Sequence, residues 1–158
     1  MAKKNLYKNS DFIFSPIGGS GEIGMNLNAY HYKGKWIIVD LGAGFADDTM
    51  PGIDMLVPDI SYLMERKSDL LGIVLTHAHE DHLGGIQYLW TKLKLPVYAT
   101  SFTLNFLRSK LKEYPFHKKV ELIEIEENGD LVLGDFNIEM MHLTHSVPEM
   151  MACVIQCG

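Results

Sequence analysis

Residues 70–83 read LLGIVLTHAHEDHL, an apolar run that passes at Thr76 into three histidines, an aspartate and a glutamate. An unbroken apolar segment of this length reads as a strand buried on both faces. Imidazoles and carboxylates crowded at the exit of such a strand are costly to bury unless something satisfies them, and a metal ion does so. If residues 77–81 run extended, His77, His79 and Asp81 share one side at period two, and His82 turns away as a helix begins. One short segment can then feed two adjacent ions, His77 with His79 holding one and Asp81 with His82 the other. Nitrogen and oxygen donors in this mix suit zinc, with manganese or iron as alternative occupants. Glu80 alternates away from its neighbours and is expected to face solvent. Asp40, which closes KWIIVD (35–40), reads as the carboxylate that orients a ligand imidazole, because ligating histidines usually donate their free N–H to such a group. His31, His117 and His142 read as ordinary hydrogen-bonded histidines.

FIFSPI (12–17), NLNAYHYK (26–33) and KWIIVD are strand-like, the last two joined by a tight hairpin at Gly34. Between the first two lies GGSGEIGMN (18–26), whose glycines suggest a GxGxxG dinucleotide loop. That fingerprint needs a helix to follow, and Asn26 onward alternates like a strand, so the reading is set aside. Residues 41–59 form a loop too long to be a passive connection. A helix is expected from Asp59, its cap, through about Lys67. GGIQYLWTKLK and SFTLNFLRSKLKEY have helical spacing, the second with an apolar face at Phe102, Phe106, Leu107 and Leu111. PVYAT, KVELIEI, FNIEMMHL and ACVIQC read as strands, with a turn at ENGD.

Composition narrows the class. A chain of 158 residues, 47% hydrophobic, can bury the core of one domain. Its net charge of −6 supplies no overall basic footprint for nucleic acid. MAKKNLYK is basic, but SDFIFSPIGG is too short and broken to be the apolar region of a secretory leader, and no stretch approaches a membrane span. The two cysteines, Cys153 and Cys157, lie four apart on one strand, a poor geometry for a disulfide, and read as packed thiols of a reducing cytoplasm.

THAHEDH matches the H-x-H-x-D-H motif of the metallo-β-lactamase superfamily, and Asp40 and the His145 of THSVPE match that superfamily's first- and third-motif residues. GGSGEIGMN, PGIDMLVPDISYL, LTHAHEDHLGG and THSVPE together resemble the amino-terminal part of the ribonuclease J family, in the β-CASP group. The resemblance implies an α/β fold, the αββα sandwich with two zinc ions at one edge, and RNA as substrate. By position, His77, His79 and His145 would hold one zinc, and Asp81 with His82 would contribute to the second. The implied chemistry is metal-assisted phosphodiester hydrolysis, with Asp81 as the catalytic residue nearest the nucleophile, both ligand and proton acceptor.

Against the family pattern, a bridging aspartate some way beyond the third motif, a further histidine and the β-CASP domain are not in this chain. Residues 1–158 are therefore expected to be the amino-terminal portion of a metallo-β-lactamase domain, an incomplete sandwich that is weak or inactive alone. A homo-oligomer, or a partner chain that completes the fold, is compatible with this reading. Two other functions fit less well: a small-molecule hydrolase of the same superfamily, against which PGIDMLVPD speaks, and a non-catalytic metal-binding remnant.

Overall fold

The computed structural model describes residues 7–158, so the first six residues, including most of the basic stretch weighed as a leader, lie outside the described part. Three strands open the domain: β1 (Ile13–Gly18), β2 (Leu27–Tyr32) and β3 (Lys35–Val39), antiparallel in that order. Lys33 and Gly34 join the last two with φ of 48° and 78°, the two-residue turn whose twist matches a hairpin. The long loop that follows contains a small two-stranded sheet, β4 (Gly44–Phe45) with β5 (Met55–Leu56). The helix expected over 59–67 is shorter. Only α1 (Ser61–Met64) is α-helical, and Lys67–Asp69 tighten into a 3₁₀ turn. Asp59 does serve its start, accepting from the Ser61 amide at 2.9 Å and hydroxyl at 2.6 Å.

The apolar run then forms β6 (Leu70–Val74), parallel to β3, and is followed by α2 (Glu80–Leu83) and α3 (Ile86–Leu93). Next come β7 (Val97–Ala99), α4 (Ser101–Leu111) and β8 (Leu122–Glu124). The first sheet has six strands in the order β1-β2-β3-β6-β7-β8. On one face Trp36, Ile38, Ile73 and Leu75 pack against helix residues such as Leu63, Leu89 and Leu104. On the other, Ile37 and Val74 meet Phe136, Ile138, Met140 and Met151. Leu70 and Ile73, three residues apart, share a face because an extra residue between them, opposite Trp36–Ile38 of β3, makes a bulge. The run is thus apolar without alternation because it is covered on both sides.

The second layer is a three-stranded antiparallel sheet, β11-β10-β9, made of β9 (Asp130–Leu133), β10 (Phe136–Leu143) and β11 (Met150–Cys157). β9, too short to show a period, went unread in the sequence. On α4 the buried stripe is Leu104, Leu107 and Leu111, with Thr103, and Phe106 is exposed. Of the expected face, Leu107 and Leu111 are buried and Phe102 packs partly against the core; only Phe106 falls outside it, because Leu104 takes its place in the i, i+3, i+7 set. Helices, a six-stranded sheet and a smaller sheet make three layers of the αββα sandwich. Among the described residues no helix covers the outer face of the second sheet. None is long and apolar enough to cross a membrane. Cys153 and Cys157 are free thiols, and burial pushes Cys153 up to about 12.

Candidate metal centre

The polar cluster sits at the carboxyl end of β6, where the parallel strands of an open sheet leave a crevice. Four short backbone contacts build the cradle. Within α2, a helix of four residues, the carbonyls of Glu80, Asp81 and His82 accept from the amides of Ala43 (3.0 Å), Asn26 (2.9 Å) and Leu41 (2.8 Å), and the Gly85 amide returns to Leu41 at 2.9 Å. The glycine-rich loop and the start of the long loop therefore clasp the motif directly. Gly42 makes the approach feasible, since a Cβ there would lie 1.7 Å from the Asp81 carbonyl oxygen. In the glycine-rich loop, Gly19 and Gly24 adopt φ of 83° and 96°, and a Cβ on Gly19 would strike the Asn26 side chain at 2.4 Å.

Because the chain turns helical at Glu80, the extended geometry expected through Asp81 holds only as far as His79. His77 and His79 still converge, and the loop after β10 brings His145 to them. His77 Nε2 and His145 Nε2 each lie 3.1 Å from His79 Nδ1. Ligand atoms of these three residues all fall within 4.8 Å of one another. A tetrahedral zinc site, with Zn–N near 2.0–2.1 Å, separates its donors by about 3.3 Å, so the three imidazoles fit such an ion. Beside them, His82 Nε2 is 3.3 Å from Asp81 Oδ2, and the His77 and His82 rings are 4.0 Å apart. Two donor sets thus stand side by side, the first with three imidazoles and the second with one imidazole and one carboxylate.

The ring orientations are fixed from behind. Asp40, in a left-handed conformation (φ 63°), accepts from His82 Nδ1 at 2.7 Å and from the Thr76 amide at 2.8 Å. The Thr76 hydroxyl lies 3.0 Å from both Asp40 oxygens and 2.9 Å from His77 Nδ1. Its single proton goes to the carboxylate, so it accepts from His77 Nδ1–H, and the Nε2 lone pair is left facing the cluster. Ser146 Oγ lies 3.2 Å from His79 Nε2, and with that nitrogen as donor to the hydroxyl, the Nδ1 lone pair faces the cluster. Burial, reinforced by the neighbouring His82, His79 and His145, lowers the His77 pKa to about 4, so at neutral pH the ring is the uncharged form that a cation needs. For His82 burial opposes protonation, but the hydrogen bond and charge of Asp40 outweigh it and raise the pKa.

Of the residues singled out in the sequence, His77, His79 and His145 come together, Asp81 and His82 form the adjoining pair, and Asp40 stands behind His82. His142 is exposed on β10 and outside the cluster. Glu80 is not the solvent-facing residue expected. α2 swings it towards α4, where both its oxygens take Lys110 Nζ, at 2.8 and 2.6 Å. His31 behaves as an ordinary buried histidine, paired with the Asp11 carbonyl at 3.1 Å and the Gly34 amide at 3.1 Å. Three contributors escaped the sequence reading. Asn26 Nδ2 reaches Asp81 Oδ2 at 3.2 Å and its carbonyl at 3.1 Å, Thr76 joins Asp40 to His77, and Glu149 holds the His145 loop by accepting from the Phe102 amide at 2.7 Å. All three stand at an end of a motif singled out in the sequence, Asn26 in GGSGEIGMN, Thr76 in THAHEDH and Glu149 in THSVPE.

With this layout, the chain belongs to the metallo-β-lactamase superfamily: residues 35–156 match the family model described as the beta-lactamase superfamily domain. The histidine cluster is consistent with a metal site of that superfamily. Within it, the chain is similar over almost its whole length to ribonuclease J. It is 38% identical to ribonuclease J of Sinorhizobium meliloti over 98% of this chain and 28% of that protein. It is 40% identical to ribonuclease J2 of Bacillus subtilis over 94% of this chain and 26% of that one. The chain thus spans about a quarter of the length of the curated relatives it matches. Among solved structures, the metallo-beta-lactamase fold protein YhfI of Bacillus subtilis superposes with a TM-score of 0.64 at 20% identity, covering 90% of this chain and 57% of that one. It shares the fold.

Proposed function

We propose that residues 1–158 are the amino-terminal portion of the metallo-β-lactamase domain of a ribonuclease J-like enzyme, and that the cluster serves RNA phosphodiester hydrolysis with zinc. The observation that carries this reading is the convergence of His77 Nε2, His79 Nδ1 and His145 Nε2 at 3.1 Å spacings beside the Asp81–His82 pair. In it, His77, His79 and His145 hold the first ion, and Asp81 and His82 face the second. Zinc, or manganese in its place, supplies Lewis acidity that activates water and offsets charge on phosphodiester oxygens. Asp40 and Thr76 orient the imidazoles. Asn26 pins one Asp81 oxygen and leaves the other, on a side chain 40% exposed, to accept the proton of the attacking water. Among the described residues the second ion has only two protein donors, so catalysis by this chain alone is expected to be slow. The similarity to ribonuclease J over 98% of this chain favours RNA over the small substrates of other superfamily members.

The test is single-turnover cleavage of a labelled 5′-monophosphate single-stranded RNA, with zinc or manganese, by the unmodified chain and by His77→Ala and Asp81→Asn carried through the same purification. Slow cleavage abolished in both variants is the expected result. Hydrolysis of a thioester or a β-lactam in place of RNA would overturn the substrate class. Robust multiple turnover of RNA would overturn the incomplete second position.

A further inference from the structure

The net charge of −6 hides a local imbalance. Residues 92–119 carry seven of the chain's 14 lysines and arginines and a single acid, Glu113. They form the end of α3, the link into β7, α4 and the 3₁₀ turn His117–Lys119. Arg108, Lys112, His117 and Lys118 line a groove of about 410 Å³, over an apolar floor that includes Leu111 and Leu122, and no carboxylate lines it. Its size falls in the range of sites that hold small ligands, about 300–1,000 Å³. Several cations elsewhere are paired with acids: Lys33 with Asp135, Lys35 with Asp69 and Lys110 with Glu80. In the groove they are not. Among the described residues the side chains of Lys112 and Lys118 have no partner, and Arg108 bonds only to the uncharged Asn105, at 2.8 Å. His117 Nδ1 donates to the Tyr114 carbonyl at 2.8 Å, which leaves Nε2 for a ligand.

Like charges gathered in a concave, partly apolar site project a focused positive potential. The neighbouring depression, floored by Trp90 and Phe116, is less suited, because Glu121 shares its rim with Lys94 and Lys119. Strand polarity locates the groove. β6, β7 and β8 are parallel, the metal cluster follows the end of β6, and the groove lies where β8 begins. The two sites therefore lie towards opposite ends of the parallel strands.

We propose that this groove is a second polyanion site, which holds the phosphodiester backbone of a nucleic-acid strand away from the metal centre. The guanidinium fork of Arg108 matches phosphate oxygens in two bonds, the two ammonium groups serve as point charges, and the apolar floor accepts sugar and base. The choice of nucleic acid over an acidic protein rests on the function proposed above, whereas the cationic groove stands without it.

The experiment is fluorescence anisotropy of a labelled single-stranded RNA of about 20 nucleotides, long enough to span both ends of the sheet. It is run on the metal-free chain so that no cleavage intervenes. Arg108→Gln/Lys112→Gln/Lys118→Gln is compared with Lys33→Gln/Lys35→Gln/Lys67→Gln, which removes the same charge elsewhere, folding of both being checked by circular dichroism. The groove variant is expected to bind about tenfold or more weakly, with a salt slope shallower by about 2, at ~0.7 per phosphate contact on a single strand. The control variant should stay within about twofold of the unmodified chain. Equal losses in both variants, no loss in the groove variant, no binding by the unmodified chain, or equally tight binding of a polyglutamate peptide would each overturn the proposal. Since binding is read without metal, failure of RNA cleavage leaves the groove standing, and failure of the groove leaves the metal centre standing.

Discussion

The Thr76 hydroxyl has one proton to give and two neighbours to satisfy. It donates to Asp40 and accepts from His77, so one side chain couples the carboxylate behind His82 to the tautomer of His77. Thr76→Val keeps the shape and removes both bonds, and zinc affinity is expected to fall about 10- to 100-fold, the usual cost of losing a group that orients a metal ligand. Thr76→Ser should retain most of it. A competition titration against a chromogenic chelator reads both, and equal affinities for the two variants would show that the hydroxyl orients nothing. pH probes the same rings. His77 titrates at about 4 in the folded metal-free chain, against 6.5 when unperturbed, so as pH falls through that window the unfolded chain takes up a proton that the folded one refuses, and stability drops. His82 works in the opposite sense. Its raised value gives stability that is present below the unperturbed pKa and is lost as pH rises through the folded one. Imidazole NMR of the metal-free protein should find His77 still neutral at about pH 5, where ordinary histidines are charged. A His77 that protonates near 6.5 would contradict the burial assigned to it.

α2 makes little of its own stability. A helix of four residues is too short to persist alone, and its carbonyls are satisfied by amides of residues 26, 41 and 43 from two other loops. Gly42→Ala places a methyl against the Asp81 carbonyl where backbone faces backbone, and is expected to cost about 3 kcal/mol or more, beyond the ordinary range for overpacking. Urea unfolding measures it, and a loss under about 1 kcal/mol would mean that the clasp is slack. This dependence explains which parts of the centre were legible. The strand and the ligands in THAHEDH follow from periodicity and residue type over a few positions, and Asp40 follows from its place at a strand end. His145 was located by resemblance alone, because no local pattern shows that a loop 66 residues beyond His79 will return to it. Asn26, Thr76 and Glu149 act through contacts set by the tertiary fold. Glu80 was misread for the same reason: extended backbone sends it to solvent, and the helix sends it to Lys110.

At the scale of the molecule, one sheet carries chemistry at both ends, with clustered imidazoles at the carboxyl end of β6 and unpaired cations where β8 begins. The overall acidity concealed the second feature, because a net charge is an average and a groove is not. Most strands and helices are readable from alternation and apolar runs, whereas their arrangement in layers came from the resemblance; of the second sheet, β9 lacks the length to show a period. The central claim is that three imidazoles make one firm zinc site while the adjoining pair, with two donors, does not hold an ion tightly. Zinc per chain after dialysis against a weak chelator, by elemental analysis, tests it most directly. The unmodified protein and His142→Ala should retain about one ion, and His77→Ala, His79→Ala and His145→Ala, each folded, should retain none. Two firmly held ions, or zinc that survives in folded His145→Ala, would contradict the account.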